Sequence, residues 1–256
     1  MTVEEAARLL LAREDEKTDG PPLTDEWSDL DLGTAYRIQD ETLRLRLARG
    51  ETLIGVKLGL TSRAKQQRMN VSSPLTAWLT DAMVLPAGVP VPMDKLIHPR
   101  AEPEIVVTLG RDLEGPGVTA ATALGAVEHV FGGIEIIDSR YADFRFTLHD
   151  VVADNASSGA FVTGPVARGV TDFDLSLEAC SLEVDGTVVD TATGAAVQGH
   201  PAEAIALAAN DLGRRGQWLR AGWIVLTGGM TDAVPVVKDS TVSASFSSLG
   251  RVVVGG

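Results

Sequence analysis

Two hydrophobic periods divide this chain. Near the start, Thr2 is placed to cap a helix over about Val3 to Arg13. Ala35, Ile38, Thr42 and Leu45 then recur at helical spacing, which predicts a second helix over about Gly33 to Arg49, closed by Gly50. The charged stretch between them, Glu14 to Asp31, contains Gly20-Pro21-Pro22 and is expected to be a loop. From Leu53 the pattern shortens to β-type runs broken by Gly and Pro. Strands are predicted at Ile54–Leu60, Glu104–Leu109, Gly133–Ile137, Ser181–Val184, Thr187–Val189, Trp223–Thr227 and Thr241–Phe246. Asp185-Gly186 is a two-residue hairpin signal between two of them. Helices are expected at Ala120–Val130 and at Pro201–Arg214, the latter with proline in its first turn. Strands outnumber helices without regular alternation, which excludes a doubly wound sheet and predicts an α+β fold. A helical N-terminal lobe over 1–52 and a β-rich domain over 53–256 are expected.

Composition narrows the function classes. The 256 residues are 45% hydrophobic, enough for a substantial core, and carry a net charge of −13. Such a balance argues against nucleic-acid binding, which needs a basic face. The single cysteine, Cys180, excludes an intramolecular disulfide and sits in a strand-like run, as a core thiol would. The acidic, helical N-terminus is not a signal peptide, and no apolar run reaches the length of about 18 residues that a membrane span needs. A soluble cytoplasmic protein is expected.

The chemistry concentrates on acids. Glu102 and Glu104 are two apart, so an extended backbone turns both to one face. Glu135 lies in another apolar run, Phe131 to Ile137. Three carboxylates meeting in an apolar setting repel one another and lose their hydration. A hard divalent cation, Mg²⁺ or Mn²⁺, removes that cost and leaves positions for water and a 2-oxo acid. The alternative is a solvated surface pair. Pro103 between the acids fits an edge or a bulge.

Other candidates surround this trio. Lys57, bounded by Gly55 and Gly59, either polarises a carbonyl and moves protons or buries its stem and reaches water. The glycines suggest close approach of a ligand to the backbone. Arg140 either pairs with a substrate carboxylate or forms a structural ion pair with Asp138 or Asp154. Asp154 to Gly159 offers hydroxyls, an amide and backbone N–H groups suited to a ligand carboxylate, with Ser157 among them, or forms an ordinary turn. Thr227-Gly-Gly-Met-Thr231, which contains Gly229, is expected to line a pocket through its backbone. His200 beside Pro201 suits a helix cap, and His98 suits a supporting position.

Taken together, Gly55 to Ser62, His98 to Glu104, Glu135 to Arg140, Val152 to Ser158 and Thr227 to Thr231 resemble the 2-keto-4-pentenoate hydratase and 4-oxalocrotonate decarboxylase family, within the fumarylacetoacetate hydrolase superfamily. The resemblance spans the chain. It implies a mixed β-roll with a helical N-terminal part, a Mg²⁺ or Mn²⁺ ion held by Glu102, Glu104 and Glu135, and Lys57 in the active site. Hydratases of the family carry a Pro-Asp pair about 17 residues beyond the lysine, where this chain has Pro74-Leu75. Leu75 removes a candidate base for adding water and favours decarboxylation in a dry pocket. The resemblance therefore implies conversion of 4-oxalocrotonate, a 2-oxo dicarboxylate, to 2-hydroxypenta-2,4-dienoate and CO₂ in meta-cleavage aromatic catabolism. Gly59, Gly229, Leu75, Arg140 and Ser157 are expected at the substrate. It also implies homo-oligomers and a possible complex with a vinylpyruvate hydratase. Trp78 departs from the family pattern and is expected beside the pocket. The rival readings are a vinylpyruvate hydratase, an acylpyruvate hydrolase and a non-catalytic keto-acid-binding partner.

Overall fold

The N-terminal helices form where their caps dictate. In the computed structural model, which describes residues 1–62, 66–67 and 74–256, Thr2 and Glu5 make a reciprocal capping box that opens α1, Val3–Glu16. Asp31 accepts from the Thr34 N–H at 2.6 Å and opens α2, Leu32–Ala48. The two helices pack on each other through Ala6, Ala7, Leu10, Ala35 and Ile38.

Among the described residues the strands form two sheets. One has the order β2-β1-β8-β3-β4-β5, with β9 added beside β3. Its strands are β1 Leu53–Gly59, β2 Leu75–Thr80, β3 Arg100–Leu109, β4 Val127–Ile137, β5 Ser158–Thr163, β8 Ile224–Gly229 and β9 Val234–Pro235. The β1–β8 pair is parallel and the others are antiparallel, so the sheet is mixed. The second sheet runs β11-β10-β6-β7, formed by Gly250–Gly255, Thr241–Phe246, Ala179–Val184 and Thr187–Thr193. Both β3 and β4 alternate. Ile105, Val107, Ile134 and Ile136 enter the main core with Leu182, Val242, Ala244 and Val252 of the second sheet. Each such side chain contributes about 1.5–3 kcal/mol by leaving water. The opposite face of β3 carries the acids.

Short helices complete the frame: α3 Ala120–Leu124, α4 Leu148–Ala153 and α5 Pro201–Arg214. The helix expected to reach Val130 stops at Leu124, because from Val127 the backbone gains a full ladder to β3. β3 and β4 begin several residues before the predicted starts, at Arg100 and Val127. β2, β5, β9, β11 and α4 escaped prediction, being short runs whose pattern is completed only by long-range partners. Pro103 lies in an interior strand. Its carbonyl accepts from the Met230 N–H at 2.9 Å, so its missing N–H faces the irregular side of the ladder between β8 and β9. His200 caps α5, its Nδ1 accepting from the Ala202 N–H at 3.0 Å. Cys180 is buried in β6, and burial pushes its thiol up to about 12, as befits an inert core group.

The helical lobe shares a core with β2 and α4: Leu10, Leu23 and Ile38 pack with Leu75, Ala77, Tyr141 and Val152. Gln39 of α2 is buried and donates to the Thr76 carbonyl at 3.1 Å and the Val152 carbonyl at 2.9 Å. Arg46 pairs with Glu14 and with Glu51, the latter at 3.3 Å. Gln39→Leu would strand both carbonyls and cost about 2–3 kcal/mol. Thermal unfolding should then show one transition lowered by about 5–10 °C. Two separate transitions would mean that the helices unfold apart from the sheets.

Candidate metal and substrate site

The acid trio is built by strand register. Glu102 of β3 stands directly opposite Glu135 of β4, and Glu104 follows two residues along on the same face, opposite Gly133. Oxygens of the three carboxylates lie within 4.8 Å of one another. Glu104 and Glu135 are buried and Glu102 is half-buried. Glycines make the room. A Cβ at Gly229 would sit 2.2 Å from Glu102 Oε2. Gly228, at φ +113°, donates its N–H to Glu104 Oε2 at 2.7 Å.

The electrostatics are unbalanced. Burial pushes the Glu104 carboxyl well above the usual carboxylate range, and the neighbouring Glu135 and Glu102 push it further. Burial also raises Glu135, against the pull of Lys57. Lys57 Nζ lies 3.0 Å from Glu135 Oε1 and donates to the Ala156 carbonyl at 2.6 Å. The Lys57 ammonium pairs with Glu135 and leaves Glu104 without an ion pair among the described residues. Glu104 Oε1 has no hydrogen-bond donor among the described residues although it is fully buried. An oxygen-only donor set with an unpartnered buried oxygen fits a hard divalent cation.

Beside the acids lies a cavity of about 290 Å³, lined by Lys57, Gly59, Leu75, Glu102, Ile137 and Phe144, with Leu60, Phe146, Val151, Ala156 and Ser157. Among the described residues its wall is apolar apart from Lys57, Glu102 and Ser157. Leu75 of β2 faces Gly59 so closely that a Cβ there would meet Leu75 Cδ1 at 2.8 Å.

A left-handed turn frames the lysine. Asn155, Ala156 and Ser157 have φ of 48°, 51° and 56°. Each such non-glycine residue costs about 1–2 kcal/mol. The Asn155 amide offsets this by donating to the Trp78 carbonyl and accepting from the Trp78 N–H, both at 2.9 Å. Ser158 Oγ donates to the Asn155 carbonyl at 2.8 Å. The Asp138 N–H donates to the Ser157 carbonyl at 2.7 Å. The result is a carbonyl aimed at Lys57 and a small-residue wall for the cavity. The polar run expected to hold a carboxylate thus spends most of its groups on its own turn. Ser157 reaches the cavity, with its Oγ 3.4 Å from Asp154 Oδ2.

Of the other candidates, Gly59, Leu75 and Ser157 come together at the cavity, and Gly229 stands behind Glu102. Arg140 does not join them. Its guanidinium is buried against Asp154 and donates to the carbonyls of Asp138, at 2.6 Å, and Ser158, at 2.9 Å. Of the two roles open to it, it fills the structural one, bracing the turn from behind. Trp78 also faces away, its indole N–H donating to Asp40 of α2 at 2.8 Å and its ring edge-on to Trp223. Strand alternation separates it from Leu75. The aromatic wall, Phe144 and Phe146, was not anticipated; the aromatic spacing of Tyr141 to Phe146 was the available signal.

The family model described as fumarylacetoacetate (FAA) hydrolase C-terminal matches residues 52–254. A 4-oxalocrotonate decarboxylase of Pseudomonas sp. (strain CF600) is 42% identical over 234 residues, 91% of this chain and 89% of that protein. A 2-hydroxyhexa-2,4-dienoate hydratase of Comamonas testosteroni is 41% identical over 231 residues, 90% of this chain and 88% of its own. The solved 4-oxalocrotonate decarboxylase from Pseudomonas putida G7, complexed with magnesium and adipate, superposes with a TM-score of 0.97 at 38% identity, covering 99% of this chain and 96% of that one. This agreement bears out the α+β fold, a mixed β-roll with N-terminal helices.

Glu104→Gln should raise the melting temperature of the metal-free protein by about 2–6 °C, because the amide removes a buried charge and can donate to Glu135. Mg²⁺ should raise the melting temperature of the wild type and leave the variant unmoved. A variant that melts lower and still responds to Mg²⁺ would contradict the site.

Proposed function

The chain belongs to the fumarylacetoacetate hydrolase family, and within it we propose a divalent-metal-dependent decarboxylase that converts 4-oxalocrotonate to 2-hydroxypenta-2,4-dienoate and CO₂, a carboxy-lyase step of meta-cleavage aromatic catabolism. The observation that carries this reading is an acid trio and a lysine at one end of a cavity whose other described lining residues, Leu75 included, carry no base for water. Both decarboxylases and hydratases stand among the similar proteins, and Leu75 is the residue that favours the decarboxylase in this reading.

Glu102, Glu104 and Glu135 would hold Mg²⁺ or Mn²⁺. Such an ion, when bound, supplies Lewis acidity to the 2-oxo acid end of the substrate. In the 2-oxo-3-ene form, whose alkene is conjugated with the keto group and lies β,γ to the remote carboxylate, the bond to that carboxylate breaks and CO₂ leaves. Its electron pair forms the terminal alkene, the former alkene pair moves next to the keto carbon, and the carbonyl pair moves onto the keto oxygen. Lys57 has three N–H donors, of which Glu135 and the Ala156 carbonyl engage two. The third is free to hold the developing oxyanion and to hand it a proton. Leu75, Ile137, Val151, Phe144 and Phe146 exclude water, which disfavours hydration of the product and strengthens the charge interactions. Ser157 and the adjoining backbone would meet substrate at the small-residue wall, with Gly59 allowing close approach.

The reading extends to surroundings. The outer strand β7 exposes Val188 and Val189, which supports homo-oligomers formed through that edge. A reactive dienol product would benefit from a vinylpyruvate hydratase close by. No helix among the described residues is long and apolar enough to cross a membrane, and a cytoplasmic setting is part of the proposal.

The test is a product assay. Protein with Mg²⁺ should release CO₂ from 4-oxalocrotonate; hydration of 2-hydroxypentadienoate with no CO₂ release would make it a hydratase. Leu75→Asp should lower kcat/KM for decarboxylation about 100-fold, because its charge opposes the substrate's remote carboxylate. The same variant should retain the Mg²⁺-induced rise in melting temperature. Undiminished decarboxylation by Leu75→Asp would remove Leu75 from the argument.

A further inference from the structure

The proposed substrate has two carboxylates, and the acid end of the cavity accounts for one. Resting on that reading, we propose that Arg100 holds the second and thereby selects six-carbon 2-oxo diacids over 2-oxo monoacids.

The placement follows from β3. Arg100, Glu102 and Glu104 alternate with core residues, so all three side chains leave the strand on one face. Their partners on β4 repeat the order: Arg100 stands opposite Ile137 and Glu102 opposite Glu135. Glu102 and Ile137 both line the cavity; Arg100, their neighbour on the same strand face and two residues from Glu102, is not among its lining residues and adjoins it through Ile137 and Phe144. Two strand residues span about 6.6 Å, the order of the separation between the ends of an extended six-carbon diacid.

The side chain is uncommitted. The Arg100 guanidinium carbon lies 4.2 Å from the ring centroid of Phe144, itself part of the cavity wall. Among the described residues, Arg100 is half-buried and its side chain makes no hydrogen bond or ion pair. The contrast with Arg140, Arg13 and Arg46 is plain, since each of those spends its donors on carboxylates or carbonyls. A half-buried guanidinium with five free N–H groups is poorly satisfied and matches a carboxylate in fork geometry. Phe144 is a held platform. It and Asp143 adopt φ of 55° and 56°, and the His98 ring packs at 4.7 Å from it.

This arrangement divides the labour. Lys57 acts at the keto end, where two of its donors are fixed by Glu135 and the Ala156 carbonyl, and Arg100 acts at the end that departs. A charge pair formed with the intact carboxylate favours binding of substrate, not the step that expels CO₂. The product lacks the group that Arg100 holds, so its release meets no such pair. Arg100 is therefore a positioning residue that governs KM more than kcat.

The test uses the full-length Mg²⁺-loaded protein and two saturated acids that lack the alkene needed for decarboxylation. Calorimetric titration should show 2-oxoadipate binding about 30-fold more tightly than 2-oxohexanoate. Arg100→Gln should bring that ratio close to one while leaving the 2-oxohexanoate affinity within about twofold of wild type. Arg100→Lys should restore part of the preference. A wild type that does not discriminate, an unchanged ratio in Arg100→Gln, or an equal loss of both affinities would overturn the proposal. Neither titration reads CO₂, so a protein that prefers the diacid but fails to decarboxylate would refute the enzymatic reading alone.

Discussion

A cluster of three carboxylates at the meeting of β3 and β4, two of them buried, governs this structure. Lys57 pairs with Glu135 of the two buried acids. Among the described residues, Glu104 Oε1 has no hydrogen-bond partner. A polypeptide tolerates such a cluster only if the rest of the fold holds it rigidly and something outside the chain completes it. A hard divalent cation answers the second need. The interlocked sheets answer the first, since the core residues that alternate with the acids on β3 and β4 fix where each carboxylate points.

The N-terminal helices belong to the same solution. They cover β2 and α4, and through Gln39 they fasten the carbonyls on either side of the cavity floor. The left-handed turn at Asn155–Ser157 depends on that floor, because its chief restraint is the amide-to-backbone pair with Trp78 of β2. The turn in turn supplies the carbonyl that fixes Lys57. A chain of contacts thus runs from α2 through β2 and the turn to the lysine. Arg140 braces it from behind with Asp154, whose own carboxyl is raised to about 6 by burial despite that partner.

Much of this was legible in the sequence because it rests on local periodicity. The i, i+2 spacing of Glu102 and Glu104 survives in the structure as a shared strand face, and the helix cap at Thr2 acts within three residues of chain. What escaped depends on partners far away. β5 contains a small-residue run whose pairing is set by β4, and α4 is only six residues long. The uses of polar side chains were the least readable. Arg140 and Asn155 carry chemistry suited to a ligand, yet both are spent on backbone groups that only the folded chain brings near. Arg100, by contrast, drew no notice in a motif dominated by its acids. Leu75 was singled out through the family resemblance, because hydratases carry an acid at that place, and it lies in the cavity lining.

The central claim is that Glu102, Glu104 and Glu135 form one divalent-cation site that chelates a 2-oxo acid. Electron paramagnetic resonance of the Mn²⁺-loaded protein with ¹⁷O-labelled 2-oxo acid tests it directly. The account predicts one tightly bound ion per chain and line broadening from label in both the keto and the adjacent carboxylate oxygens. A spectrum of bound Mn²⁺ unchanged by either label, or no bound ion at all, would contradict it.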